Sequence, residues 1–217
     1  EFEIINFSNL PSPHITPGKM MELSLLVNEI IKREDITAVV VTHGTDTLEE
    51  TAYLLDLTVN SEKPVIVVGA MRNSSELGYD GSSNLSAAIC TGISEKSRGK
   101  GVLVVMNNEV NAASEVTKTN TLSLDTFKSP EFGPLGIVDN DEVIFYRDIV
   151  NRQYINTNKI EEKVGLLKTG PGMDSDIIDF YIDNDYKGIV IEALGRGNIP
   201  PEMVPGIKKA IEKNIPI

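Results

Sequence analysis

Short runs of β-branched residues take turns with longer amphipathic stretches along this chain, and that alternation restricts the folds open to it more than any other feature. Ala38 to Thr42 (AVVVT), Val65 to Val68 and Val102 to Met106 read as strands. Between them lie stretches with apolar residues at helical spacing: Met20, Leu23, Val27, Ile30 and Ile31, then Leu48, Ala52, Leu55 and Val59, then Ser83 to Ile93. Thr16-Pro17 supplies an N-cap hydroxyl followed by proline in the first turn, and Thr47 with Glu50 three residues on fits a capping box. Strand, loop and helix in repeated order predict an α/β fold with a doubly wound, mostly parallel sheet.

Residues 107 to 135 break the pattern with a polar stretch rich in Asn, Thr and Ser, which reads as a loop. A loop that long in a compact domain is either functional or misassigned. Val143 to Tyr146 reads as one more strand, and residues 148 to 162 lose the apolar periodicity. This places a larger α/β domain at residues 1–147, a linker at 148–162 and a smaller α/β domain at 163–217. The last of these repeats the β-α-β-α order through Val164 to Leu167, about Ser175 to Asn184, Gly188 to Ile191 and about Met203 to Asn214. Ile215-Pro216-Ile217 reads as the opening of another strand.

Composition excludes several function classes. The 217 residues carry a formal net charge of −12, and an acidic chain without a basic stripe repels the phosphates of a nucleic acid. Apolar runs such as Pro64 to Met71 fall far short of the roughly 20 residues that span a bilayer, so no membrane contact is expected. One cysteine, Cys90, rules out an internal disulfide framework and reads as a small buried hydrophobe, and with only two histidines no Cys/His metal cage is expected. A start at Glu1 leaves cytoplasmic and exported locations equally open.

In open α/β sheets ligands bind beyond the carboxyl ends of the strands, so polar residues in the loops there are the candidates for chemistry. Three loops qualify: Thr42 to Thr47 (THGTDT), Gly69 to Arg72 (GAMR) and Thr117 to Asn120 (TKTN). Thr45 and Asp46 either cap the helix that follows or point outward, Asp46 to pair with an ammonium and Thr45 to face a carbonyl or a water. Lys118, flanked by hydroxyl residues, would act as a base if desolvation stripped its proton. A hydroxyl, a lysine and a carboxylate together suit acyl transfer. Competing motifs are weak. Gly195-Arg196-Gly197 lacks the third glycine of a dinucleotide fingerprint because Pro200 stands there, and neither a phosphate-binding P-loop nor a G-x-S-x-G elbow occurs. His43 reads as a packed residue at a strand end and His14 as a loop residue.

The string Val39 to Ala52 (VVVTHGTDTLEETA) resembles a signature of the bacterial-type L-asparaginases. Gly69-Ala70-Met71-Arg72 with Asp80-Gly81 and Asn84-Leu85 is similar to that family's next block, and Thr117-Lys118-Thr119-Asn120 with Thr126-Phe127-Lys128 to the one after. The resemblance implies cofactor-free hydrolysis of L-asparagine to aspartate and ammonia through a threonine nucleophile and an acyl-enzyme. It assigns Thr45, Asp46 and Lys118 to catalysis, Thr45 and Asp46 also to substrate contact, Ser12 to the substrate α-carboxylate and Ala70 to the substrate pocket. It further implies that Asn198 reaches a neighbouring subunit's site, within a homo-oligomer built as a dimer of intimate dimers. Related readings are a glutaminase, an amidotransferase subunit that releases ammonia from glutamine for tRNA-bound glutamate, and an inactive fold that binds acidic amino acids.

Two departures from the family pattern stand out. Pro13 occupies the position where the family places Gln or Glu, leaving the substrate ammonium to Asp46. The family's N-terminal T-G-G-T strand, with its first threonine, and a late acidic residue of the C-terminal domain have no counterpart in the 217 residues. The expectation is therefore a chain truncated at both ends, without amidase activity of its own.

Overall fold

The computed structural model describes residues 1 to 217, which form two compact units, Glu1–Lys159 and Ile160–Ile217. The first unit contains, in chain order, α1 (Pro17–Ile30), β1 (Val39–Thr42), α2 (Leu48–Thr58), β2 (Val65–Val68), α3 (Gly81–Ile93), β3 (Val102–Met106), β4 (Glu109–Ala112), β5 (Thr117–Lys118), β6 (Phe127–Lys128), β7 (Gly136–Asp139) and β8 (Glu142–Phe145). Its main sheet has the order β1-β2-β3-β4-β7-β8. β1, β2 and β3 are parallel, with Val39 opposite Val65 and Val65 opposite Val102. Every residue of β2 and β3 is buried, as expected where helices cover both faces of parallel strands.

Helix α1 starts as the sequence predicts: Thr16 accepts a hydrogen bond from the Lys19 N–H at 3.2 Å, and Pro17 fills the first turn. It packs on α2, where the buried hydroxyls of Ser24 and Thr58 meet at 2.7 Å. On α2, Leu48, Ala52 and Leu55 are fully buried, and the helix contacts β2 and β3. Full burial of one such leucine is worth about 1.5 to 3 kcal/mol, so this apolar stripe largely fixes the helix on the sheet. Helix α3 lies close against β1 and β2, and a Cβ on Gly92 would sit 3.2 Å from the Ala38 Cβ.

The α/β class stands, with the parallel arrangement confined to three strands. Asn107 (φ 50°) and Asn108 (φ 61°) adopt left-handed backbone, which asparagine tolerates better than most side chains. The chain reverses within those two residues and β4 returns antiparallel to β3, Met106 opposite Glu109. A second reversal at Asn140 and Asp141 joins β7 to β8 in the same way. The polar stretch 107–135 is thus not one loop but holds three strands, β4, β5 and β6. The capping box is corrected too, because Thr47 makes no side-chain cap bond. Its hydroxyl donates instead to the Ser12 carbonyl at 2.8 Å.

Residues 148–159 carry no regular element, and within the first unit they are tied down by Arg152, 3.3 Å from the buried Asp56 carboxylate, and by the Ile155 N–H, which donates to the Leu57 carbonyl at 2.7 Å. Asp56 also accepts the Val102 N–H at 2.9 Å. Burial pushes its carboxyl above the ordinary carboxylate value, a rise that the Val102 and Arg152 contacts oppose.

The second unit comprises β9 (Val164–Lys168), α4 (Asp176–Asp183), β10 (Gly188–Glu192) and α5 (Val204–Glu212). β9 and β10 pair in parallel around a small core of Leu167, Ile178, Ile182, Ile189, Met203 and Ala210. Residues 215–217 form no strand, although the Ile189 N–H donates to the Pro216 carbonyl at 2.9 Å. No helix is long and apolar enough to cross a membrane.

The β7–β8 reversal yields a prediction. Asp141 holds φ 62°, so Asp141→Val should lower stability by about 1 to 2 kcal/mol, whereas Asp141→Gly should be neutral or stabilising. Urea unfolding of both variants checks this, and equal destabilisation by the two would contradict the backbone argument.

Candidate active site

The β1-to-α2 loop, residues 43–47, is held in place before any catalytic side chain is considered. The His43 N–H donates to the Val68 carbonyl at 2.8 Å, which keeps the loop on the sheet one residue past β1. A carbonyl only accepts, so the 2.7 Å contact between His43 Nδ1 and the Gly44 oxygen puts the ring proton on Nδ1. Nε2 then accepts from the Thr51 hydroxyl at 3.0 Å. Burial pushes the imidazole below its ordinary value, against the opposing pull of the Gly44 bond. His43 is therefore a neutral organiser of the loop with both nitrogens engaged.

Ser12 supports the same loop from a short 3-10 turn, Ser12–His14. It is only 5% exposed; its Oγ accepts the Asp46 N–H at 3.2 Å and its carbonyl accepts from Thr47. A Cβ on Gly44 would lie 2.8 Å from Ser12 Oγ and 2.9 Å from its Cβ, so only glycine lets the loop rest against this turn. A Cβ on Gly69 would likewise come within 2.6 Å of the His43 carbonyl, a measure of how closely the ends of β1 and β2 approach.

Onto this loop the β5 strand delivers Lys118. Its Nζ lies 2.9 Å from Thr45 Oγ1 and 2.7 Å from Asp46 Oδ1. The Lys118 side chain is 17% exposed and that of Asp46 60% exposed, so the ammonium sits back from water with its carboxylate partner at the lip. Two of the three ammonium donors are engaged and the third is free for a ligand. Thr45 is the acceptor in its bond with Lys118, which leaves its own O–H proton to be given elsewhere. Thr45 and Asp46 thus face Lys118, and no side-chain cap bond forms at the start of α2.

Glu49, in the first turn of α2, escaped notice in the sequence because its neighbour Glu50 fitted a cap pattern. Its Oε1 accepts from Thr117 Oγ1 at 3.1 Å, and its Oε2 accepts the Lys118 backbone N–H. The β5–β6 hairpin is closed further along by the Thr119 hydroxyl on the Thr126 carbonyl at 2.8 Å and by Thr126 Oγ1, which accepts the Asn120 N–H at 2.6 Å. Lys128 fastens β6 to Glu109 at 2.8 Å and pairs with Asp125.

The β2-to-α3 loop has its own clamp. Asp80 accepts the backbone N–H groups of Met71 at 3.0 Å and Arg72 at 2.9 Å. Burial tends to raise its carboxyl, yet those two bonds and that from Asn84 outweigh it and hold the group below the ordinary value. Asn84 Nδ2 donates to the Gly69 carbonyl at 3.0 Å, and its Oδ1 accepts the Asn107 N–H at 2.9 Å. Ala70 lies two residues past β2, whose last residue, Val68, pairs with Thr42 at the end of β1. Asp80 and Asn84 were visible only as members of the resembling block. Asn198 belongs to the second unit, where its backbone closes a tight turn with Leu194 through two bonds of 2.8 Å. Pro13 is exposed. No group of three or more His, Cys, Asp or Glu side chains is arranged as a metal ion requires.

Ser12, Thr45, Asp46 and Lys118 therefore come together at the carboxyl end of β1 from three separate segments. The asparaginase N-terminal family model matches residues 1–151, and the glutaminase/asparaginase C-terminal domain model matches residues 163–217. The probable periplasmic L-asparaginase of Haemophilus influenzae is 40% identical over 201 residues, 90% of this chain and 57% of that protein. L-asparaginase 2 of Bacillus subtilis is 37% identical over 218 residues, 96% of this chain and 57% of that protein. The crystal structure of a probable cytoplasmic L-asparaginase from Campylobacter jejuni superposes with a TM-score of 0.90 at 33% identity, covering 96% of this chain and 66% of the other. The chain spans somewhat under three fifths of the length of these curated relatives. The two matched domains nevertheless account for all of it but residues 152–162, and the fold is shared over 96% of it: the chain belongs to the asparaginase family.

Proposed function

We propose that the whole protein carrying these residues hydrolyses the side-chain amide of L-asparagine to L-aspartate and ammonia, with Thr45, Lys118 and Asp46 in the reacting group. The observation that carries this reading is the Lys118 amine within hydrogen-bond reach of both Thr45 Oγ1 and Asp46 Oδ1. A threonine oxygen adds to the amide carbon as its proton leaves, and collapse of the adduct breaks the C–N bond, ammonia departing with a proton. Water then attacks the acyl-enzyme ester and returns the hydroxyl. Thr45 and Lys118 form the proton-transfer pair: the proton released by the attacking hydroxyl passes through the Thr45 oxygen to Lys118, which gives one to the leaving nitrogen.

Substrate binding follows from the groups that remain unspent. Asp46 uses Oδ1 on Lys118, and its second oxygen, at the exposed lip, is free for the substrate ammonium. With Pro13 beside Ser12, Asp46 makes that contact without help from the neighbouring residue. Ser12 Oγ accepts from Asp46 and so retains its own proton for the substrate carboxylate. Ala70, two residues past β2, bounds the substrate, a role that the similarity of Gly69 to Arg72 to the family pattern supports. Asn198 completes a neighbouring subunit's site in a homo-oligomer; the similarity of Gly195 to Asn198 to the family pattern supports this.

The roles predict different kinetics in the whole protein. Lys118→Met should leave KM near its original value and remove roughly 10²- to 10⁴-fold of kcat, the usual worth of a positioned acid or base. Asp46→Asn should raise KM for L-asparagine, and lower kcat as well if the ion pair with substrate tightens towards the transition state. Ammonia release measured across substrate concentrations checks both. Near-normal kcat/KM in both variants, with only a lowered Tm, would mean that these residues serve the fold alone.

A further inference from the structure

The group that sets where Lys118 begins is separate from the groups that set where it ends. A lysine side chain carries about 2 kcal/mol of rotamer entropy, so its amine is well placed only if the backbone beneath it is fixed too. β5 and β6 pair over two residues each, Thr117 opposite Lys128 and Lys118 opposite Phe127. Bonds among Thr119, Asn120 and Thr126 close the hairpin further along, but they hold β5 to β6 and not to the helix that follows Thr45 and Asp46.

Glu49 ties β5 to that helix. Its two carboxylate oxygens take the Thr117 hydroxyl, at 3.1 Å, and the Lys118 backbone N–H. Glu49 stands three residues after Asp46, on the first turn of the helix that the site loop enters. A single five-residue segment, 45–49, therefore grips Lys118 at its backbone through Glu49 and at its tip through Thr45 and Asp46. Any shift of α2 against β5 would be felt at both ends of the side chain together.

We propose that Glu49 is a positioning residue for the reaction, clamping β5 so that the Lys118 amine reaches Thr45; the proposal rests on the amidase reading above. Its role is geometric. A glutamine in its place offers one oxygen to the Lys118 N–H and one N–H to the Thr117 hydroxyl, keeping the clamp while removing the charge.

The test combines kinetics with amide hydrogen exchange for Glu49→Ala and Glu49→Gln in the whole protein. In Glu49→Ala the Lys118 amide should lose its protection and kcat should fall about 10²-fold, the cost of a misplacement on the order of 1 Å, with KM changed less than about twofold. Glu49→Gln should recover the amide protection and bring kcat to within roughly tenfold of the original. Unchanged kcat in Glu49→Ala, beside a disabled Lys118→Met, would overturn the positioning role and leave the amidase reading intact. A Glu49→Gln variant as slow as Glu49→Ala would overturn it also, because charge would then be what matters. Full activity in Lys118→Met would remove both the reading and this inference.

Discussion

A lysine amine largely withdrawn from water, bonded to a hydroxyl and a carboxylate from one loop, is the interaction around which the site is organised. Withdrawing an ammonium from solvent is costly unless other groups replace its hydration. Asp46 supplies the opposite charge and Thr45 an oxygen lone pair, so two of the three N–H donors are satisfied. Under the proposed reading the same two residues make the group reactive, because the hydroxyl nearest the amine is the one that can exchange a proton with it.

That contact requires a loop of fixed shape, and its shape comes from close approach rather than from caps. Gly44 lies against Ser12, and Gly69 lies against the His43 carbonyl, in both places nearer than any Cβ permits. The His43 ring bonds back to Gly44 and across to Thr51 and so closes the loop onto α2. Parallel strands β1 and β2 bring their carboxyl ends side by side, where the Asp80–Asn84 clamp shapes the adjoining loop. Strong hydrophobic burial in β2 and β3 is what lets these polar loops be held so closely.

The parallel half of the fold was legible because β-branched runs and amphipathic helices leave two distinct periodicities. The antiparallel half was not. β4 reads Glu-Val-Asn-Ala, and its polar members are kept inside the structure by partners remote in sequence, Glu109 by Lys128 and Asn111 by the Ser129 hydroxyl at 2.8 Å. Buried polar residues of that kind erase the alternation by which a strand is recognised. β5 and β6, two residues each, are too short to show any period. In the site, Thr45, Asp46 and Lys118 could be picked out as unusual residue types at strand ends. Glu49 could not, since its partners lie 68 and 69 residues away and its immediate neighbour carried the more familiar pattern.

The central claim, that Thr45 and Lys118 work as one proton-transfer unit, is tested most directly by a double-mutant cycle on kcat for L-asparagine hydrolysis. Thr45→Val keeps the methyl group that faces Gly69 and removes only the hydroxyl. Groups that act as a unit give grossly non-additive losses, so Thr45→Val/Lys118→Met should be about as slow as the slower single variant. Losses that multiply in the double variant would show two independent contributions and contradict the account.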